Sequence, residues 1–386
     1  MNDNRKKLSL IMSVCFLAMM FGALAGSILI PDRSFSADEN RSLQRLPAFR
    51  LSEYFDGRFE TALEHYVDDQ FPFRNSFIKI KTAADRTMGK LENNGVYRAR
   101  SGYLMEDITV PSEKTIREDQ DALRHFASKH DSLNMYFILV PNAANIFSDE
   151  LPLTVRPGDQ NAPMDRMFKS VRKDGMTPID VRETFKKKKD DIQLYYRTDH
   201  HWTTDGAYTA YQYASPKLGN GAARTYTPYI VKNDFKGTLY SKSGFTNGLD
   251  DEIRIYLPTD EKSYKKSVIY YADTQKKTTE FYQTGNLKKK DAYTVFGGSN
   301  HPMYTIETPV ESSKRLLIIK DSYANCFIPF LTQNYREIVV VDPRYYFDNL
   351  DDLISSENIT DMLFLYNANT FFSDHSLSIM LSGSSQ

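Results

Sequence analysis

Between Lys7 and Pro31 no side chain carries a charge, and this run, Leu8 to Ile30, restricts the chain more than any other feature. A hydrocarbon layer about 30 Å thick offers backbone groups no water, so a single apolar segment satisfies them only as a helix. Arg5, Lys6 and Lys7 precede the run, which keeps residues 1–7 cytoplasmic by the positive-inside tendency. Ala23-Leu24-Ala25 resembles a small-residue cleavage site, so a signal sequence competes with an uncleaved anchor. The apolar run continues through Ile28-Leu29-Ile30 beyond that site, which favours an anchor over residues 8–30. Either way the bulk of the chain folds outside the membrane.

The full length, 386 residues, exceeds what one core usually needs, so a main domain with accessory segments is expected. Forty-nine Lys and Arg against 50 Asp and Glu leave a formal charge of −1, with no basic footprint for wrapping a polyanion. Nucleic acid is therefore not expected as a partner, and Lys186–Lys189 and Lys288–Lys290 read as solvated turns or helix faces. The two cysteines, Cys15 in the apolar run and Cys326 near the carboxyl terminus, are too differently placed to bridge. An exported, anchored chain held without disulfides fits a bacterial surface.

After the anchor, residues 31–47 are polar and irregular, and residues 51–90 carry Phe55, Phe59, Leu63 and Val67 at helical spacing. Residues 31–117 thus read as a linker and helical stem or cap, interrupted where Pro72 disfavours helix at Phe71. From 118 to 386 helices alternate with strongly apolar strands, the pattern of an α/β sheet covered on both faces, a three-layer α/β/α domain. Candidate strands are Met135–Val140, Arg315–Ile319, Glu337–Val341 and Met362–Leu365. Residues 226–308 look like a β-rich insertion of shorter, more polar strands, and the closing Ser-Gly-Ser-Ser-Gln a frayed tail.

The chemistry concentrates in two places. Thr198-Asp199-His200-His201-Trp202 sets a carboxylate and two of seven histidines beside the sole tryptophan. Far downstream, Leu316-Leu317-Ile318-Ile319 runs into Lys320-Asp321-Ser322-Tyr323, a strand delivering a serine to a helix start. Free N–H groups at such a turn can hold an oxyanion, although Asp321 or Ser322 could equally be a simple helix cap. A serine needs a base oriented by an acid. In an extended segment Asp199 and His201 share a side while His200 points away, so His201 is the better base. The helix start at Thr203–Tyr208 would help keep that imidazole neutral. Asp and paired His also suit a metal, but a third or fourth ligand has no obvious source, so none is expected. Trp202 could floor a sugar subsite or sit in the core.

Asp-His-His-Trp at 199–202 together with Lys-Asp-Ser-Tyr at 320–323 resembles the bacterial DHHW protein family, which is similar to the SGNH-hydrolase-like alginate O-acetyltransferases. Glu39-Asn40-Arg41, Asp69–Arg74, Val140-Pro141-Asn142 and Phe296–Pro302 add weaker flanking likeness. The resemblance implies an SGNH-like fold and a triad of Ser322, His201 and Asp199. Tyr323, Asn300, Trp202 and His200 are secondary candidates for oxyanion or substrate contacts, Asn300 lying in a Gly-Gly-Ser-Asn turn. Lys320 stands where the family has glycine. The implied activity is extracytoplasmic acetyl transfer onto hydroxyls of a cell-surface polysaccharide through an acetyl-serine, with no cofactor. It further implies a membrane-bound O-acyltransferase that supplies acetyl groups across the bilayer. An esterase of the same architecture and a non-catalytic anchored glycan-binding or scaffold protein are the alternatives.

Overall fold

The computed structural model describes residues 2–36, 41–245, 248–259 and 267–383. Glu39 and Asn40 of the flanking likeness and the last three residues of the expected tail lie outside them. The chain divides into two compact units, 1–93 and 94–386. Residues 94–117, assigned to the stem from sequence, fall in the second unit.

In the first unit a helix spans Asn2–Leu29, and its stretch Arg5–Leu29 is long and apolar enough to cross a membrane. Shorter helices follow at Leu51–Phe55, Arg58–Gln70 and Arg74–Thr87. The break expected at Pro72 is present: Phe71 leaves the helix with φ −55° and ψ 129°, the extended conformation a following proline imposes.

The second unit is organised by an eight-stranded sheet. Its strands are β1 (Asn134–Val140), β2 (Thr177–Ile179), β3 (Val268–Tyr271), β4 (Lys276–Thr278), β5 (Met303–Glu307), β6 (Arg315–Lys320), β7 (Glu337–Val341) and β8 (Asp361–Asn367), in the order β4-β3-β5-β7-β6-β8-β1-β2. The five strands from β7 to β2 are parallel, and β5, β3 and β4 continue the sheet antiparallel at one edge. The β-rich region is therefore not a separate insertion throughout. Its strands β3, β4 and β5 extend the main sheet, while Tyr226–Phe235 and Asp251–Pro258 pair as a hairpin apart from it.

Alternation along β6 shows why the parallel strands are apolar without a break. Leu316 and Ile318 enter one core, Leu317 and Ile319 the other, and all four are fully buried. Burying each such side chain contributes roughly 1.5–3 kcal/mol relative to exposure, so a polar residue on either face would be costly. One face is covered by helices Glu113–Lys129, Asn161–Lys173, Leu350–Ser356 and Ser376–Leu381. The other is covered by Thr204–Ala214, Arg182–Lys188 and the hairpin, giving the three layers. Ligand sites in such sheets form beyond the carboxyl ends of the strands, and β6 ends at Lys320, with only Asp321 between it and Ser322.

Candidate active site

The histidine segment is not extended. Residues 197–201 form a bend, closed by a bridge between Tyr195 and Trp202 and by Tyr196 N–H donating to the His201 carbonyl at 3.2 Å. Asp251, at the start of a hairpin strand, holds the bend from below. Its buried carboxylate accepts from Arg197 N–H, Thr198 N–H and the Thr198 hydroxyl at 2.9, 2.8 and 2.6 Å. Asp199 and His201 meet through a local turn: Asp199 Oδ1 accepts the His201 backbone N–H at 3.0 Å and pairs with its Nδ1 at 2.6 Å. Side-chain alternation reached the correct pairing for a reason the backbone does not support.

On the other side, Ser322 opens a five-residue 3-10 turn rather than an α-helix. So short a turn carries little macrodipole. Asp321 caps it, accepting Tyr323 N–H and Asn367 N–H at 2.9 Å each. The capping role thus belongs to Asp321, and the Tyr323 N–H is not free for an oxyanion. Ser322 Oγ instead lies 2.8 Å from His201 Nε2. With Nδ1–H directed at Asp199, Nε2 is left as the acceptor for the serine hydroxyl.

The electrostatics favour this arrangement of protons. Burial pushes His201 down to about 4, helped by the neighbouring His200 and only partly opposed by Asp199, so the imidazole is neutral at physiological pH. Burial acts upward on Asp199, but His200, His201 and the bond from the Thr238 backbone outweigh it and hold the carboxylate ionised. Burial raises Asp321 to about 6 despite its amide donors. Lys320, fully buried, has its ammonium disfavoured by burial and compensated by Asp342 at 3.4 Å, which also takes two bonds from the Arg344 guanidinium.

Four residues that sequence did not single out complete the site. Thr238 N–H and hydroxyl donate to Asp199 Oδ2 at 2.7 and 3.1 Å. Gly237 permits this approach, because a Cβ there would sit 2.2 Å from that of Asp199. Tyr293 stacks on the His201 ring at 3.7 Å and 12°, and its hydroxyl donates to the Ser322 carbonyl at 3.1 Å. Asp251 is the fourth. All lie in the 226–308 region, where no motif marks them; only chain folding brings them to the bend.

The secondary candidates fare differently. Trp202 is fully buried, stacked on Phe327, and its Nε1–H donates to the Tyr323 carbonyl at 2.8 Å, so it packs and braces the serine turn instead of flooring a subsite. Tyr323 is equally buried, with its hydroxyl bonded to the His200 carbonyl, which ties the two loops together. His200 does not point away: its ring lies 3.8 Å from that of His201 and its Nδ1 2.7 Å from Thr238 Oγ1. Asn300 is exposed and donates to Tyr345 Oη at 3.1 Å, within a turn whose Gly297 and Gly298 have φ of 79° and 78°. Donor atoms of Asp199, His200 and His201 lie within 4.8 Å of one another, as a metal would need. Both Asp199 oxygens, however, are already taken by two donors each, and His201 Nε2 by Ser322.

Residues 103–247 match the model of the SGNH hydrolase-like domain of the acetyltransferase AlgX, a stretch that includes Asp199–Trp202 and ends before Ser322. A solved structure of PatB1 from Bacillus cereus, carrying a sulfonyl adduct, superposes with a TM-score of 0.61 at 22% identity, covering 74% of this chain and 97% of that one. A DHHW family protein from Eubacterium siraeum gives 0.60 at 22% identity over 75% and 95%. The fold is SGNH hydrolase-like. Among curated sequences, a probable alginate O-acetylase AlgJ of Pseudomonas fluorescens is 23% identical over 57% of this chain. The match spans 58% of that relative's length, and 64% of its Pseudomonas putida counterpart. In this SGNH-like domain, an alcohol, a neutral imidazole and a carboxylate stand in hydrogen-bonded series, which lets the imidazole take a hydroxyl proton.

Proposed function

We propose that the chain is an extracytoplasmic O-acetyltransferase acting on a cell-surface polysaccharide, with Ser322 as nucleophile, His201 as base and Asp199 as orienter. The observation that carries this reading is the 2.8 Å approach of Ser322 Oγ to a His201 whose Nδ1 is held 2.6 Å from Asp199. Ser322 Oγ attacks the acetyl carbonyl as its proton passes to His201 Nε2. Collapse of the tetrahedral adduct expels the donor oxygen, which takes that proton, and leaves acetyl-Ser322. A sugar hydroxyl then gives its proton to His201, attacks the acetyl group, and Ser322 is released with the proton returned. Asp199 stabilises the imidazolium in both halves. Tyr293 covers the imidazole face and the Thr238 donors fix the carboxylate.

The helix Arg5–Leu29 anchors the domain in the membrane with its catalytic side outward. Acetyl-coenzyme A is absent there, so a membrane-bound O-acyltransferase delivers the acetyl group. Incubation with 4-nitrophenyl acetate tests the reading. Mass spectrometry should find acetyl on Ser322, a sulfonyl fluoride should block its formation, and Ser322→Ala should abolish turnover. Undiminished turnover in that variant would refute the assignment. Acetylated glycan in excess of free acetate, when acceptor is supplied, separates a transferase from an esterase.

A further inference from the structure

Beside the histidine pair lies a shallow cleft of about 440 Å³, with His200 as one wall. It opens where β8 ends in Asn367 and the chain turns into the helix Ala368–Ser373, the end of the sheet that also presents Ser322. Its other walls carry three carboxylates, Glu106, Asp107 and Asp374, against one lysine, Lys242. Each carboxylate is fixed by an amide donor: Glu106 by Asn369 Nδ2 at 3.3 Å, Asp107 by Ile108 N–H and Asp374 by Ser376 N–H, both at 2.8 Å. Among the described residues none of the three is in an ion pair, so a ligand in the cleft meets three unpaired carboxylates against a single ammonium. Such a ligand also lies against the His200 ring, 3.8 Å from His201.

Resting on the proposed acetyl transfer, we propose that this cleft seats the acceptor glycan and that its carboxylates select a sugar bearing a protonated amine over a polyuronate. An unacylated hexosamine presents hydroxyls for the ester and an ammonium for Glu106 and Asp374, whereas each uronate brings a like charge into the cleft. The acceptor therefore differs in charge from the alginate named in the curated relatives.

The full chain in detergent, supplied with 4-nitrophenyl acetate, is offered a glucosamine hexamer, an N-acetylglucosamine hexamer and an oligomannuronate of equal length. Base-labile O-acetyl groups are counted against an enzyme-free control. The glucosamine hexamer should be acetylated at least about tenfold faster than the uronate, with the ratio shrinking as salt is raised. The double variant Glu106→Gln/Asp374→Asn should lower that ratio at least about fivefold. Asp107→Asn, at an exposed position, should lower it in the same direction if the double variant does not fold. Equal acetylation of uronate and glucosamine, or of the two hexosamine oligomers, overturns the charge selection, as does an unchanged ratio in the variants. If no acetyl-Ser322 forms at all, acetyl transfer itself fails; if it forms normally and the preference is wrong, only the cleft assignment falls.

Discussion

Gly237→Ala places one methyl group where the site has no room for it, and its effect follows from distance. The added Cβ would lie 2.2 Å from Asp199 Cβ, 2.3 Å from Oδ2 and 2.6 Å from Cγ. Restoring ordinary contact requires one of the two segments to move by roughly an ångström. Asp199 is wholly buried and tied to His201 and Thr238, so any retreat breaks the bonds that orient the imidazole. A displacement of about 1 Å near a reacting centre costs on the order of 10² in rate, which is about 2.7 kcal/mol of barrier. Overpacking should also remove about 1–3 kcal/mol of stability. The assay is acetyl-ester hydrolysis by native and variant chains, with thermal melts to ensure that both are folded at the assay temperature. The loss should appear in kcat, with KM nearly unchanged, because binding of the donor does not involve Asp199. A folded variant within about threefold of native kcat would refute the argument that Asp199 is positioned through Gly237.

Because burial holds His201 near 4, the acid limb of kcat/KM should lie close to pH 4, well below the ordinary imidazole range; a limb near 6.5 would contradict the buried, neutral base. Trp202→Phe removes the Nε1–H donor to the Tyr323 carbonyl and part of a fully buried ring. It should cost about 1–3 kcal/mol in denaturant unfolding and slow turnover with it, through a loosened serine turn. Asp119 is buried with one unpartnered oxygen and is raised to about 7, by burial first and Glu118 second. Its folded value exceeds its unfolded one, so the stability held below about pH 4 is lost as pH rises through 7. Asp119→Asn should flatten that slope and be more stable than native at pH 8 by at most about 4 kcal/mol, as read from denaturant midpoints at pH 5 and 8.

What the sequence determined by itself was local or periodic. The uncharged run before Pro31 is long enough to cross a bilayer, where only a helix would satisfy its backbone groups. The unbroken aliphatic stretches of β6 and β7 require burial on two faces and hence a covered parallel sheet. Asp199, His201 and Ser322 were legible because an acid, a base and an alcohol in short motifs carry their chemistry in the residue type itself. Tertiary structure decided the rest. Thr238, Gly237, Tyr293 and Asp251 act through a backbone amide, a missing methyl group, a ring face and a set of accepted amide bonds. None of these has a sequence signature, since each depends on which distant segment folds against the bend. For the same reason Trp202 and Tyr323 changed from prospective ligand contacts to braces: their types suit both roles, and only burial separates them. Sequence named the groups proposed to react, while the fold supplied the contacts that fix their protonation and orientation, because those are properties of the space around a residue.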